Sequence, residues 1–117
     1  MRLINIYHYE KEVRLQALWK LLKERPARLN ISHKKMPTRE EHERFVERMP
    51  YAVWYFITPD EDTSEILGSL YLTVDKEIGL AVAAGHRHKG IGKAALEVLF
   101  SIHRGPFYAN IAPGNVA

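Results

Sequence analysis

The chain is predicted to adopt an α/β (α+β) fold, a mixed central sheet flanked by helices in the order β-α-α-β-β-β-α-β. Three observations lead to it. Apolar residues recur at two periods, one typical of strands and one of helices. The two periods interleave along the chain instead of separating into halves, which calls for helices packed on a sheet. A glycine-containing turn joins one strand to a helix that a further strand follows, a βαβ unit whose strands run parallel through a right-handed connection.

The opening LINIYHY (Leu3 to Tyr9) alternates apolar and polar residues and predicts a first strand. Val13, Ala17, Leu18, Leu21 and Leu22 then recur at helical spacing, so residues 10 to 24 read as an amphipathic helix that stops before Pro26. The segment ARLNISHKKMP is irregular and basic. Thr38, with Glu41 three residues on, has the pattern of a capping box and predicts a second helix from Arg39 to Met49. YAVWYFI (Tyr51 to Ile57), a turn at PDEDTS and EILGSLYLTV (Glu65 to Val74) predict an antiparallel hairpin. EIGLAV (Glu77 to Val82) is a fourth strand, KAALEVLFSIHR a third helix and FYANIA (Phe107 to Ala112) a fifth strand.

At 117 residues, 46% hydrophobic and 26% charged, the chain has the size and composition of one globular domain over residues 1–117. It contains no cysteine, which excludes a disulfide framework and thiolate metal sites, and no metal is expected. MRLINIYHYEKE lacks the apolar core of a secretory signal, and no apolar run reaches the roughly 18 residues of a membrane span, so a cytoplasmic protein without a membrane partner is expected. The net charge of +3 favours an anionic partner without choosing among nucleic acid, a nucleotide cofactor and an acidic substrate.

The chemistry is expected in the turn Arg87, His88, Lys89, Gly90, Ile91, Gly92, Lys93. The first amides of a helix have no partner within it and carry the positive end of its dipole, so an anion fits there. Gly90 and Gly92 admit close backbone approach, and Arg87, Lys89 and Lys93 add countercharge, which suits a pyrophosphate. Neither the GxGxxG fingerprint nor the GxxxxGK[ST] loop is present.

Arg87-His-Lys-Gly90-Ile-Gly92, after EIGLAV and before KAALEVL, instead resembles the R-x-x-G-x-G acetyl-CoA motif of the GNAT N-acetyltransferase superfamily. The order of elements is similar to that superfamily's too, and FYANIAPGN resembles its fifth strand with the following Asn. The resemblance implies a GNAT-like acyl-CoA N-acyltransferase fold and acetyl-CoA as co-substrate. The cofactor-binding residues would be Leu80, Ala81, Val82, Arg87, His88, Lys89, Gly90, Ile91, Gly92, Lys93 and Asn115, with the pantetheine arm pairing along Leu80 to Val82 between strands that splay apart. It further implies an oxyanion contact from a backbone N–H near Val82 and a strand-four carboxylate as base, for which Glu77 is the candidate; the same residue also reads as a solvated carboxylate. His33 and Lys34, between the first two helices, would meet the acceptor, a small-molecule or peptide amine.

Family members continue past the Asn with a fourth helix and two strands that often supply a tyrosine to protonate the leaving thiolate, so the fold is expected to be C-terminally truncated here. A partner chain, as in a homodimer, could complete it. His86 and His88 read as loop residues facing solvent or phosphate, Tyr108 as a packed strand tyrosine rather than a substitute acid, and Trp19, Trp54, Tyr55 and Tyr71 as core. KGIGKAAL also resembles the GhGxxxA hairpin of DNA-binding helix-hairpin-helix modules. That alternative requires a helix just before the hairpin, where the pattern predicts a strand, so nucleic acid is not the expected partner. A GNAT-like domain that binds CoA without catalysis is a further alternative.

Overall fold

A computed structural model describes residues 1–24 and 36–109 of the chain. Its elements are β1 (Arg2–Asn5), α1 (Lys11–Lys23), α2 (Arg39–Glu47), β2 (Val53–Thr58), β3 (Gly68–Leu72), β4 (Glu77–Val82), α3 (Ile91–Ile102) and β5 (Tyr108–Ala109), in the predicted order. The five strands form one sheet in the order β1-β2-β3-β4-β5. The first four are antiparallel neighbours, and β5 joins β4 in parallel through Glu77↔Tyr108 and Ile78↔Ala109. This mixed sheet and its βαβ unit are the expected fold class.

Side-chain alternation gives the sheet two apolar faces. Trp54 and Phe56 of β2 pack with Ile6, Leu15, Leu18, Leu21, Val46 and Ala83 beneath α1 and α2. Ile57, Leu70, Leu72 and Ile78 pack with Ala95 and Leu99 of α3 on the other face. The capping box forms as predicted: the Thr38 hydroxyl accepts from the Glu41 N–H at 3.1 Å, and the Glu41 carboxylate accepts from the Thr38 N–H at 3.0 Å.

Several boundaries differ from the sequence reading, each for a local reason. The first strand stops at Asn5, whose side chain accepts a hydrogen bond from the Tyr7 N–H at 2.9 Å. This Asx turn bends the chain into a 3-10 turn at Ile6–His8 that buries Ile6, instead of extending the strand to Tyr9. The third strand is shorter than Glu65 to Val74. Leu67 and Gly68 both lie opposite Ile57, a bulge that delays its start, and Thr73 closes a turn by donating to the Glu77 carbonyl at 2.9 Å. The second helix ends at Glu47 because Met49 takes a left-handed φ of 55°. The second strand is shifted to Val53–Thr58 and the third helix to Ile91–Ile102, two residues ahead of Lys93. Of the fifth strand predicted to Ala112, Tyr108–Ala109 lies within the described residues.

Candidate active site

Strand β4 delivers the chain to the glycine turn. After Val82, Ala83 donates to the Leu67 carbonyl at 2.8 Å, and a 3-10 turn at Ala84–His86 lifts the backbone off the sheet. Arg87 is extended, His88 and Gly90 take left-handed φ of 63° and 76°, and α3 starts at Ile91. Gly90 is the N-cap and provides no side-chain acceptor for the first amides of α3. The first turn of α3 contains no acidic residue and carries Lys93, the reverse of what a helix dipole prefers. Where a Cβ on Gly90 would stand, nothing lies within 4 Å. Unpaired amides, a local excess of cations and open space beside Gly90 together suit an anion of pyrophosphate size.

The two glycines have different functions. Gly90 supplies the left-handed turn. A Cβ on Gly92 would lie 2.9 Å from Leu80 Cδ2 and 3.9 Å from Val82 Cγ2, so Gly92 lets α3 approach β4 closely. Arg87 is committed to the protein's own backbone: its Nε–H donates to the Val82 carbonyl at 3.3 Å and its Nη2 to the Glu24 carbonyl at 2.8 Å. The Glu24 carboxylate accepts from the Ala84 N–H at 3.3 Å. Glu24, at the C-cap of α1, is a contact that no spacing in the sequence signals.

Hydrogen-bonding parity along β4 separates the strand residues. Glu77 and Ala83 bond toward β3, through Thr73 and Leu67. By the alternation of an antiparallel ladder, Gly79 and Ala81 do the same, while Ile78, Leu80 and Val82 turn their N–H and C=O groups to the β5 side. Leu80 therefore offers its N–H and C=O to a ligand lying on that edge and Val82 its N–H, since the Val82 carbonyl is taken by Arg87; Ala81 spends its own groups on Ser69 of β3.

Residues 15–117 match the model of the acetyltransferase (GNAT) family. The chain belongs to the GNAT family. No curated protein matches it. GNAT proteins are acetyltransferases and generally use acetyl-CoA. The strand at Glu77–Val82 occupies the place where a helix-hairpin-helix module needs a helix.

Within this GNAT domain, Glu77 lies at the start of β4, roughly 16 Å along the strand from Val82. It is half-buried, and its register partner is Tyr108. Tyr108 is 61% exposed, not packed as the sequence pattern suggested, because it stands on the edge strand. His88, Lys89 and Lys93 are exposed around the turn, and His86 is half-buried. Of the remaining expected site residues, His33, Lys34 and Asn115 lie outside the described residues. Among the described residues, no three His, Cys, Asp or Glu side chains gather as a metal site, and no helix is long and apolar enough to cross a membrane.

On the face that carries Glu77, a cross-strand row runs from Trp54 through Tyr71 to Gly79. The Tyr71 ring stacks on Tyr51 with centroids 3.8 Å apart and planes 2° from parallel, and Trp54 meets both rings edge-on. A side chain at Gly79 would collide with the outer end of Tyr71, so the phenol lies directly over β4. On the same face, Ala83, Ile66, Trp19, Lys20 and Lys23 border a cleft of about 480 Å³.

Proposed function

We propose that this GNAT domain is an N-acetyltransferase that moves the acetyl group of acetyl-CoA to a primary amine of a small molecule, an amino sugar or a protein N-terminus. The observation that carries the reading is the β4 to α3 junction, where unpaired helix amides, the open Gly90 and the cations Lys89 and Lys93 converge beside the free edge of β4.

The residues present suit the co-substrate. The amides of Ile91 and Gly92 with Lys89 and Lys93 would hold its pyrophosphate, and the backbone groups of Leu80 with the Val82 N–H its pantetheine arm. Acetyl-CoA supplies the activated acyl group as a thioester. From the turn, an extended pantetheine arm reaches along β4 toward Glu77. Glu77 takes the proton that the attacking amine must lose, directly or through water. The cleft beside α1 opens on the face that carries Glu77, which is the side from which the acceptor would approach. The acceptor contacts assigned to His33 and Lys34 and the pantetheine contact assigned to Asn115 belong to this proposal.

Thermal melting with and without acetyl-CoA tests the reading. A ligand present at one hundred times its dissociation constant adds about 2.7 kcal/mol to the folded state. An unmoved transition in saturating acetyl-CoA sinks the assignment. Given a shift, thiol release across a panel of amines identifies the acceptor class, and Glu77→Gln should lower kcat by about 10²-fold or more while leaving acetyl-CoA affinity intact.

A further inference from the structure

We infer that Tyr71 is a catalytic residue of this domain, the acid that protonates the departing thiolate. The inference rests on the acetyl-transfer reading above. Glu77, Gly79 and Tyr71 share one face of the sheet, and Gly79 is the register partner of Tyr71. Because Gly79 has no side chain, the phenol reaches across the strand that would carry the pantetheine arm, one strand repeat from Glu77, about 6 to 7 Å. Stacking on Tyr51 and the edge of Trp54 fix the ring there.

A tyrosine covering a cross-strand glycine is also an ordinary packing device, and a phenylalanine would serve equally well in that capacity. The hydroxyl is what separates the two roles. Other half-buried tyrosines of this protein give theirs to the protein: Tyr7 to the Val46 carbonyl, Tyr9 to the Thr63 carbonyl and Tyr55 to His103. Among the described residues, the Tyr71 hydroxyl makes no such bond, and it is not sealed from solvent. It is a proton donor held in place over the reaction strand and left unspent.

The proton balance closes with two groups. The amine nitrogen bonds to the thioester carbonyl carbon and yields its proton to the Glu77 carboxylate. The carbon–sulfur bond breaks with its electron pair on sulfur, and the Tyr71 phenol protonates that sulfur. The phenolate recovers a proton from Glu77 through solvent, which returns both groups to their starting states.

Tyr71→Phe removes the hydroxyl and keeps the ring. The expected result is a loss of kcat of about 10²-fold or more at unchanged melting temperature and unchanged acetyl-CoA affinity. Incorporating a fluorotyrosine at position 71, whose phenol is more acidic, should move the alkaline limb of kcat to lower pH. A second readout needs no turnover: ultraviolet titration of bound coenzyme A should show its thiol ionising at higher pH in Tyr71→Phe than in the parent protein, because the phenol no longer donates to the thiolate. If Tyr71→Phe keeps full kcat and the bound thiol titrates unchanged, the residue is a packing element and the inference is overturned. If the parent protein fails to bind acetyl-CoA at all, the acetyl-transfer reading falls first and the inference falls with it.

Discussion

The guanidinium of Arg87 donates to the main-chain carbonyl of Glu24 across 2.8 Å, bolting the glycine turn to the end of α1. Its second bond, to Val82, and the return bond from Ala84 to the Glu24 carboxylate close a clamp over the end of β4. The first residue of the motif thus shapes the turn from behind. Arg87→Ala should cost about 1.5–3 kcal/mol in chemical denaturation, the range for a hydrogen-bonded charged group, and should also weaken acetyl-CoA binding. Arg87→Lys should recover only part of either loss, since an ammonium lacks the planar fork that reaches two carbonyls.

Glu24 gives the clamp a test of opposite sign. If the turn only felt net charge, removing a carboxylate near a bound pyrophosphate would tighten binding. The clamp predicts that Glu24→Ala weakens acetyl-CoA binding in calorimetry and that Glu24→Gln, which still accepts from the Ala84 N–H, stays close to the parent protein.

The two glycines of the turn should respond differently to a side chain. Gly90→Ala forces a Cβ into a left-handed φ of 76° at about 1–2 kcal/mol, with no steric contact to relieve. Gly92→Val presses on Leu80 and should cost about 1–3 kcal/mol by pushing α3 off β4. Both should weaken cofactor binding. Gly92→Ala should be milder, because its Cβ meets the movable end of a leucine side chain.

His42 predicts a pH dependence of stability. It is buried against Trp19, and burial lowers its pKa below the ordinary value of 6.5; Glu43 opposes the shift and Arg39 adds to it. The folded state therefore prefers neutral His42. Its stabilising contribution is complete above pH 6.5 and is lost as pH falls from there through the lowered pKa, because the unfolded chain binds the proton first. Urea titrations between neutral pH and pH 5 should show this decline, and His42→Gln should flatten it.

A second, more acidic arm belongs to Glu47. Its carboxylate takes two bonds from Arg14, at 2.7 and 2.9 Å, which hold its pKa below the ordinary 4.5. Stability from this pair is present above pH 4.5 and disappears as pH falls through the lowered value. Glu47→Gln should remove this arm and leave the His42 arm in place.

The fold and the site were legible in the sequence to different depths. Period and order were enough for the three helices and the βαβ unit, because Leu18 and Leu21, like Ala95 and Leu99, report which face of a helix is buried, although Val13, part of the same pattern, is exposed. Thr38 and Glu41 announced the start of α2 because a capping box is local. Asn5 ended β1 through a side-chain bond that the apolar alternation around it conceals. Arg87 was recognisable as part of a motif, but its partner Glu24 is 63 residues away and is set by how α1 docks on the sheet. Tyr71 read as core and does pack there, but its place opposite Gly79 was hidden because strand register does not follow from composition.

The order of the sheet has a kinetic consequence. The β2–β3 and β3–β4 pairings join neighbouring strands and can form early, whereas β4 meets β5 across α3, Glu77 with Tyr108, and β1 meets β2 across both α1 and α2, Asn5 with Tyr55. The β1 to β2 seam, which closes the longest connection, is therefore the last part of the sheet to form. In stopped-flow kinetics, Ile4→Ala at that seam should speed unfolding and leave the refolding rate nearly unchanged.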